Sequence, residues 1–456
     1  MTRIRYHIAV IAAKLFVKVI QLLGRNGTHN PGVLAQKICP TILDIAPKAN
    51  LVICVTGTNG KTSVNNMLCD ALEKTGLKVA SNRAGSNIVA GCTTALISGL
   101  DIFGRCKVDA MVFETDERAS RLILPYLRPD YLVVTNLFRD SLKRNAHPDY
   151  IFSILDTYCP EKTKLILNAD DLLSSRLRLS NNRVYFGIDS LPGDHKEPYN
   201  LIADHTFCPV CSSQMDYRYL RYHHIGNAVC PQCGYESPKA DYLATNIDLE
   251  NMRMTIAHDG VETEYPLVSN MLFNIYNQVT MTAMLQELGQ TPEQLQQIFA
   301  QIKLPDIRYN RKSAGGTDVI RAVVKGQNSV SASRNFDFVS AAPGQLAVII
   351  AVDDPSDHRR SVEYMGWIYD VEYERLNKEN ITQIVCAGPR CYDHRVRLLL
   401  AGVPEEKIVC TREYAQGAEL VNTQGLDAVY LLHDLTIYNL SCQMQQRICQ
   451  RLEGTK

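Results

Sequence analysis

No run of 18 uncharged apolar residues occurs in this 456-residue chain, which argues against a membrane-spanning helix. No small-residue cleavage site of the A-x-A kind follows Leu23, so no signal peptide is predicted. An excess of one charge sign is lacking too. Lys+Arg and Asp+Glu each number 48, so no global field draws the chain to nucleic acid or an anionic membrane, and no nucleic-acid partner is expected. There is no internal repeat and no low-complexity segment. The 15 cysteines do not read as a disulfide framework. Cys54, Cys69, Cys386 and Cys449 sit in apolar segments, where a free thiol behaves as a small hydrophobe. A reduced, cytoplasmic setting is expected.

What is present is the composition of a globular chain, 46% hydrophobic and 21% charged, long enough for about two or three domains. Near the N-terminus Ile4, Ile8, Ile11, Leu15, Val19 and Leu22 fall on one helical face, with Lys14 and Lys18 interrupting the segment. The face is read as packing on the domain; a helix touching the inner membrane surface is the other reading. Short apolar runs then alternate with helical patterns: Leu51–Val55, Ala110–Phe113, Tyr131–Thr135, Lys164–Leu167 and Val184–Phe186. This rhythm predicts an α/β fold with a parallel sheet. Residues 205–236 interrupt it with Cys, Pro, Tyr and His, and a helical stretch runs from Asn274 through Ala300. From about Ser313 a second α/β pattern starts, with strands at Leu346–Val352, Ile381–Ala387, Lys407–Cys410 and Ala428–Leu432.

Between the first strand and a helix at Thr62–Thr75 lies Thr56-Gly57-Thr58-Asn59-Gly60-Lys61-Thr62-Ser63. Glycines there let backbone N–H groups and a helix N-terminus wrap an anion. Thr58, Asn59, Gly60, Lys61, Thr62 and Ser63 are therefore candidate nucleotide-phosphate contacts. Lys61 would reach the β/γ-phosphates, and the Thr62 hydroxyl would ligate Mg²⁺. The generic phosphate loop has a glycine five residues before Gly60, where this chain has Val55.

Cys208-Pro-Val-Cys211 and Cys230-Pro-Gln-Cys233, with 18 residues between them, read as a four-cysteine zinc ribbon. Two C-x-x-C turns converge four thiolates on one tetrahedral ion, with no position left open for chemistry. His223 and His224 would be redundant as ligands. Tyr217, Arg218, Tyr219, Arg221 and Tyr222 interleave aromatics with basic residues, the pattern of a nucleic-acid surface, which the balanced net charge does not favour.

The T-G-T-N-G-K-T loop resembles that of the Mur ligases and folylpolyglutamate synthases. Further motifs resemble the Mur ligase family in order. Phe113-Glu114-Thr115-Asp116-Glu117 is similar to its metal-binding Glu motif, which implies Glu114 as an Mg²⁺ ligand. Thr135-Asn136-Leu137-Phe138-Arg139-Asp140 resembles its T-N-x-x-x-D segment, with Ser141 where His often follows. Asn274-Ile275-Tyr276-Asn277 resembles the N-x-x-N motif that contacts the nucleotide base; as bare sequence it also reads as an N-cap. Within the family, the ribbon, the T-N-L-F-R-D wording and Val352–His358 with Trp367–Asp370 resemble the MurT-type ligase subunits of lipid II isoglutaminyl synthases. Allowing one deleted residue, Asp357 matches the catalytic aspartate. Ile307-Arg308-Tyr309-Asn310 and Val324–Ser329 depart from the family's G-R-x-E and V-K-N-P-x-G.

The resemblance implies three regions. Residues 1–50 form an N-terminal helix and lead-in. Residues 51–310 form an ATP-binding central domain with the ribbon inserted, and 311–456 a Rossmann-like C-terminal domain. It implies ATP and Mg²⁺ as cofactors, with zinc structural. The implied reaction is amidation of the D-isoglutamate α-carboxyl of the lipid II stem peptide through an acyl phosphate. No cysteine sits on a G-x-C-x-G elbow: Cys391 follows Pro389-Arg390, and Cys92 precedes Thr93-Thr94. The resemblance therefore implies a class I glutamine amidotransferase subunit as partner in a heterodimer. An amino-acid-adding ligase, a non-catalytic nucleotide-binding scaffold and a nucleic-acid-binding ribbon are the competing readings.

Overall fold

The computed structural model describes residues 2–24, 27–83, 85–139, 147–302, 309–352 and 365–454. The sequence readings at Asp140, Ser141, Ile307, Arg308 and Asp353–His358, Asp357 included, lie outside these residues.

The apolar runs form strands as expected, Leu51–Thr56 (β1), Ala110–Glu114 (β3), Tyr131–Val134 (β4), Lys164–Asn168 (β5) and Arg183–Ile188 (β6), while a short edge strand, Val79–Ser81 (β2), was not anticipated. Their side chains are buried on both faces, as parallel strands flanked by helices require; Ile53, Cys54 and Val55 are fully buried. β1 lies between β3 and β4, with Val55 beside Glu114 on one side and Val133 on the other. A two-stranded hairpin, Asp216–Tyr222 (β7) and Ile225–Val229 (β8), carries the insertion. The chain then rejoins the sheet through Tyr242–Asp248 (β9), which pairs with β6 in parallel, and continues into Arg253–His258 (β10) and Val261–Pro266 (β11), both antiparallel. The sheet order is β11-β10-β9-β6-β5-β4-β1-β3-β2. The β9–β11 arm is absent from the sequence reading. Its burial is only partial along each strand, so it offers none of the continuous apolar runs that mark the others. The helical stretch expected over Asn274–Ala300 consists of two helices, Leu272–Glu287 and Pro292–Gln301. A capping box at Thr291 and Gln294 starts the second.

A second compact unit is built on six strands: Tyr309–Ala314 (β12), Thr317–Val323 (β13), Leu346–Ala351 (β14), Ile381–Ala387 (β15), Ile408–Thr411 (β16) and Ala428–His433 (β17). Their order is β12-β13-β17-β14-β15-β16, parallel except for β12. β14 shows why the sheet needs helices on both faces. Leu346, Val348 and Ile350 enter one apolar cluster, with Trp367 and Ile368, while Ala347, Ile349 and Ala351 enter the other.

The first helix, Thr2–Leu22, reverses an expectation. It buries Tyr6, Ala9, Val10 and Ala13, whereas Ile4, Ile8, Ile11, Leu15, Val19 and Leu22 are exposed. Small residues permit the close approach, so the helix docks by its alanine side and the large apolar stripe faces outward. Among the described residues no helix is long and apolar enough to cross a membrane. All 15 cysteines are free thiols.

Candidate active site

β1 delivers the chain to the carboxyl edge of the sheet, where residues 57–60 turn into the helix Lys61–Lys74. Gly57 and Gly60 hold φ of 124° and 89°, in the left-handed region that favours glycine. A Cβ at Gly57 would lie 2.3 Å from Thr135 Oγ1, and one at Gly60 2.3 Å from Asn277 Oδ1. The loop is thus clasped from two sides. Thr58 N–H donates to Asn136 O at 2.8 Å, Phe138 N–H to Thr58 Oγ1 at 2.9 Å, and Asn59 N–H to Asn136 Oδ1 at 3.0 Å. Thr135 Oγ1 donates to Asn59 O at 2.6 Å. The described part of the T-N-L-F-R-D segment therefore clamps the loop, a role its sequence does not announce. Gly60 is the helix N-cap and brings no side chain to the first-turn N–H groups, which leaves them to an anion.

Lys61 is buried. Its ammonium donates to Thr58 O at 3.3 Å, to Gly57 O, and to Glu117 Oε1 at 2.9 Å. Burial pushes its pKa down, but the Glu117 carboxylate beside it, with Glu114 and Asp116 nearby, outweighs that and holds it above the usual lysine value. The lysine is therefore charged within the loop. Glu117 was not singled out from sequence; its place three residues beyond Glu114 was the available signal. Glu114 ends β3 next to β1. Its Oε1 accepts from Asn87 Nδ2 at 3.0 Å, while its N–H donates to Asn82 Oδ1 at 2.8 Å. Thr62 and Ser63 follow Lys61 in the helix's first turn and are partly exposed. Hydroxyl and carboxylate oxygens are the donors that a hard dication takes.

Asn274 and Asn277 lie inside the helix Leu272–Glu287, so neither is an N-cap. Asn274 Nδ2 donates to Ser269 Oγ at 3.0 Å. Asn277 Nδ2 is buried and has no hydrogen-bond partner among the described residues. Unpaired buried amides are costly. This one stands against Gly60, where a bound nucleotide would supply an acceptor.

The inserted segment brings Cys208, Cys211, Cys230 and Cys233 together, with all four Sγ atoms within 4.8 Å of one another. Cys208–Cys233 and Cys211–Cys230 are each 3.5 Å apart. A tetrahedral ion with Zn–S bonds of about 2.3 Å needs sulfurs roughly 3.8 Å apart, so the donor set and its spacing fit. The two turns repeat each other. Ser212 N–H donates to Cys208 O and Gly234 N–H to Cys230 O, and Ser212 and Gly234 both have positive φ.

The far end of this hairpin enters the core beneath the site. Arg221 is buried, 3.0 Å from Asp170 Oδ2 and 3.2 Å from Asp194 Oδ2, and also donates to Ile188 O at 2.9 Å. Asp170 accepts from Tyr276 O–H at 2.6 Å and Tyr219 O–H at 3.1 Å. His224 Nε2 meets Asp171 Oδ1 at 3.1 Å, and Asp171 Oδ2 accepts from Leu137 N–H at 2.7 Å. Phe138 stacks on Tyr222. Tyr217, Arg221 and Tyr222 are turned into the fold, and are not an exposed stacking surface for nucleic acid. His224 pairs with a carboxylate rather than completing a metal cluster. These contacts tie the insertion to Leu137 and to Phe138, the second of which bonds Thr58, and to Tyr276, which lies between the two asparagines. Sequence offered no sign of them, because the partners lie from 27 to more than a hundred residues apart.

Two segments of the chain match known families, and the whole is similar to known proteins. Residues 55–207 match the family described as the Mur ligase middle domain, and residues 326–437 the MurT ligase C-terminal domain. The lipid II isoglutaminyl synthase (glutamine-hydrolyzing) subunit MurT of Staphylococcus aureus is 28% identical over 420 residues, covering 91% of this chain and 93% of that protein. Its counterpart in Streptococcus pneumoniae is 27% identical over 424 residues, covering 92% of each. In fold, the chain is similar to a pseudomurein peptide ligase type C from Methanothermus fervidus (TM-score 0.68, 17% identity, 91% of this chain and 84% of that one). It is also similar to MurF from Acinetobacter baumannii (TM-score 0.61, 15% identity, 91% and 80%). The chain thus carries a Mur ligase middle domain, which holds the glycine loop and the acidic strand end, followed by a MurT ligase C-terminal domain.

Proposed function

We propose that this chain is the ATP-dependent ligase subunit of a lipid II isoglutaminyl synthase, amidating the α-carboxyl of D-isoglutamate in the stem peptide during peptidoglycan synthesis. The observation that carries the reading is the charged Lys61, buried in its loop at the sheet edge beside Glu114. The chain that holds it is similar to the MurT subunits over nine-tenths of its length. A carboxylate does not condense with ammonia at neutral pH, because its oxygen is a poor leaving group. ATP, when bound with Mg²⁺, supplies the phosphoryl group that turns that oxygen into the leaving group of an acyl phosphate. Lys61 and the loop N–H groups would hold the phosphate oxygens where charge builds up. Thr62 and Glu114 would hold Mg²⁺, and Asn274 and Asn277 the base.

Asp357 is proposed to orient or deprotonate the incoming ammonia. Asp357→Asn keeps the shape and removes the base, so turnover should fall by about 10²-fold or more with nucleotide affinity unchanged. A change of only a few-fold would remove Asp357 from the chemistry. Ammonia is proposed to come from a class I glutamine amidotransferase partner in a cytoplasmic heterodimer. With lipid II, ATP consumption should require either glutamine plus that subunit or added ammonium. Consumption with neither would refute the ammonia-ligase reading, and activity of the lone chain with an amino acid would favour an amino-acid-adding ligase.

Cys208, Cys211, Cys230 and Cys233 are proposed to hold one structural zinc. Elemental analysis should find about one zinc per chain, lost in Cys230→Ser together with part of the thermal stability, because such binding energy is folding energy. Purified protein free of tightly bound metal would contradict this.

A further inference from the structure

We propose that the helix Thr2–Leu22 is an interfacial anchor that lays the protein on an anionic lipid surface. Its stripe Ile4, Ile8, Ile11, Leu15, Val19 and Leu22 runs the length of the helix, with Ile4 66%, Ile8 51%, Leu15 59% and Leu22 87% exposed. Single exposed apolar residues are ordinary, but a continuous row over several turns marks an interaction surface. The opposite side is already engaged. Ala9, Val10 and Ala13 are fully buried, and Tyr6 O–H donates to Gly104 O at 2.5 Å. The helix is therefore held in one orientation, and its stripe is not a packing face awaiting the rest of this unit.

Charge identifies the occupant. Residues 2–22 contain Arg3, Arg5, Lys14 and Lys18 and no Asp or Glu, in a chain whose overall balance is zero. At 3.6 residues per turn, Arg5 borders one side of the stripe, and Arg3, Lys14 and Lys18 the other. A broad apolar face whose charged neighbours on the helix are all cations, with Asp101 of another segment near Lys14, is complementary to a surface with an apolar interior and negative headgroups. A second copy of this chain would bring the same cations against these. The segment is also too charged to span a bilayer, so it would lie in the interface plane.

The test uses the full chain and vesicles without lipid II, so that its failure and a failure of the amidation reading remain distinguishable. Sedimentation should show binding to vesicles of phosphatidylcholine with about one-third phosphatidylglycerol, weakening as salt is raised. Ile8→Asp/Leu15→Asp should reduce binding at least about tenfold at an unchanged melting temperature. Lys14→Glu/Lys18→Glu should reduce it on anionic vesicles. Three outcomes would overturn the proposal: no vesicle binding by the wild-type chain, binding by both variants as tight as that of wild type, or a concentration-dependent dimer that Ile8→Asp/Leu15→Asp abolishes without any vesicle binding.

Discussion

Lys61→Ala should lower ATP-dependent ligation by on the order of 10³-fold, the scale of losing one fixed charge aimed at developing negative charge. It should not be silent in stability. Lys61 is buried 2.9 Å from Glu117, itself buried. Removing one member of such a pair strands the other, at a cost of about 3–5 kcal/mol. The stranded carboxyl then resists ionisation, and burial already pushes the Glu117 pKa upward. A carboxyl whose folded pKa is raised contributes stability that is complete below its unfolded pKa and lost as pH rises through the folded one. The melting temperature of Lys61→Ala should therefore fall further behind wild type as pH increases from mildly acidic to neutral. Adding Glu117→Gln should recover much of that stability and none of the turnover. If the double variant regains activity, Lys61 does not serve the phosphates. If the single variant melts as wild type at all pH values, the buried pair is energetically idle.

Arg221→Leu should be the most damaging single change in the insertion. The guanidinium and its two acidic partners are almost wholly buried, and its remaining N–H groups reach the carbonyls of Ile188 and Asp189. Leucine leaves Asp170 and Asp194 without their counter-charge, worth about 3–5 kcal/mol and on the order of 10 °C in melting temperature. Arg221→Lys should rescue little of this, because an ammonium lacks the planar fork that serves several acceptors at once. The effect should reach nucleotide affinity, since Tyr276 bonds both Arg221 and Asp170 in the helix that carries Asn274 and Asn277. Titration with ADP should show weakened binding in protein that still retains its metal. A melting temperature within about 2 °C of wild type would show that the hairpin tip is peripheral to the fold.

Neither the Lys61–Glu117 pair nor the Arg221 cluster was displayed by the sequence, whereas much else was plain in it. Most strands buried on both faces could be read directly, because parallel strands under helices are continuous apolar runs; Thr317–Val323, interrupted by Asp318 and Arg321, was missed. The glycine loop and the four cysteines could be read because their chemistry lies in short spacings, and backbone turns alone bring those residues together. The β9–β11 arm was missed where burial is partial and polar residues alternate with apolar ones.

Tertiary structure alone decided the rest. Lys61 and Glu117 are 56 residues apart, and only the register of β1 beside β3 turns them into a pair. Tyr217, Arg221 and Tyr222 look like a nucleic-acid surface in sequence. They became core because Asp170, Asp194 and Tyr276 converge on the arginine from other elements. In the first helix, periodicity determined which side chains share a face, but not whether that face would find a partner. Alanines on the opposite side permitted close packing, and the large apolar stripe was left outward. Local spacing determines which groups can act together; desolvation and pairing, set by residues far along the chain, determine what each of them does.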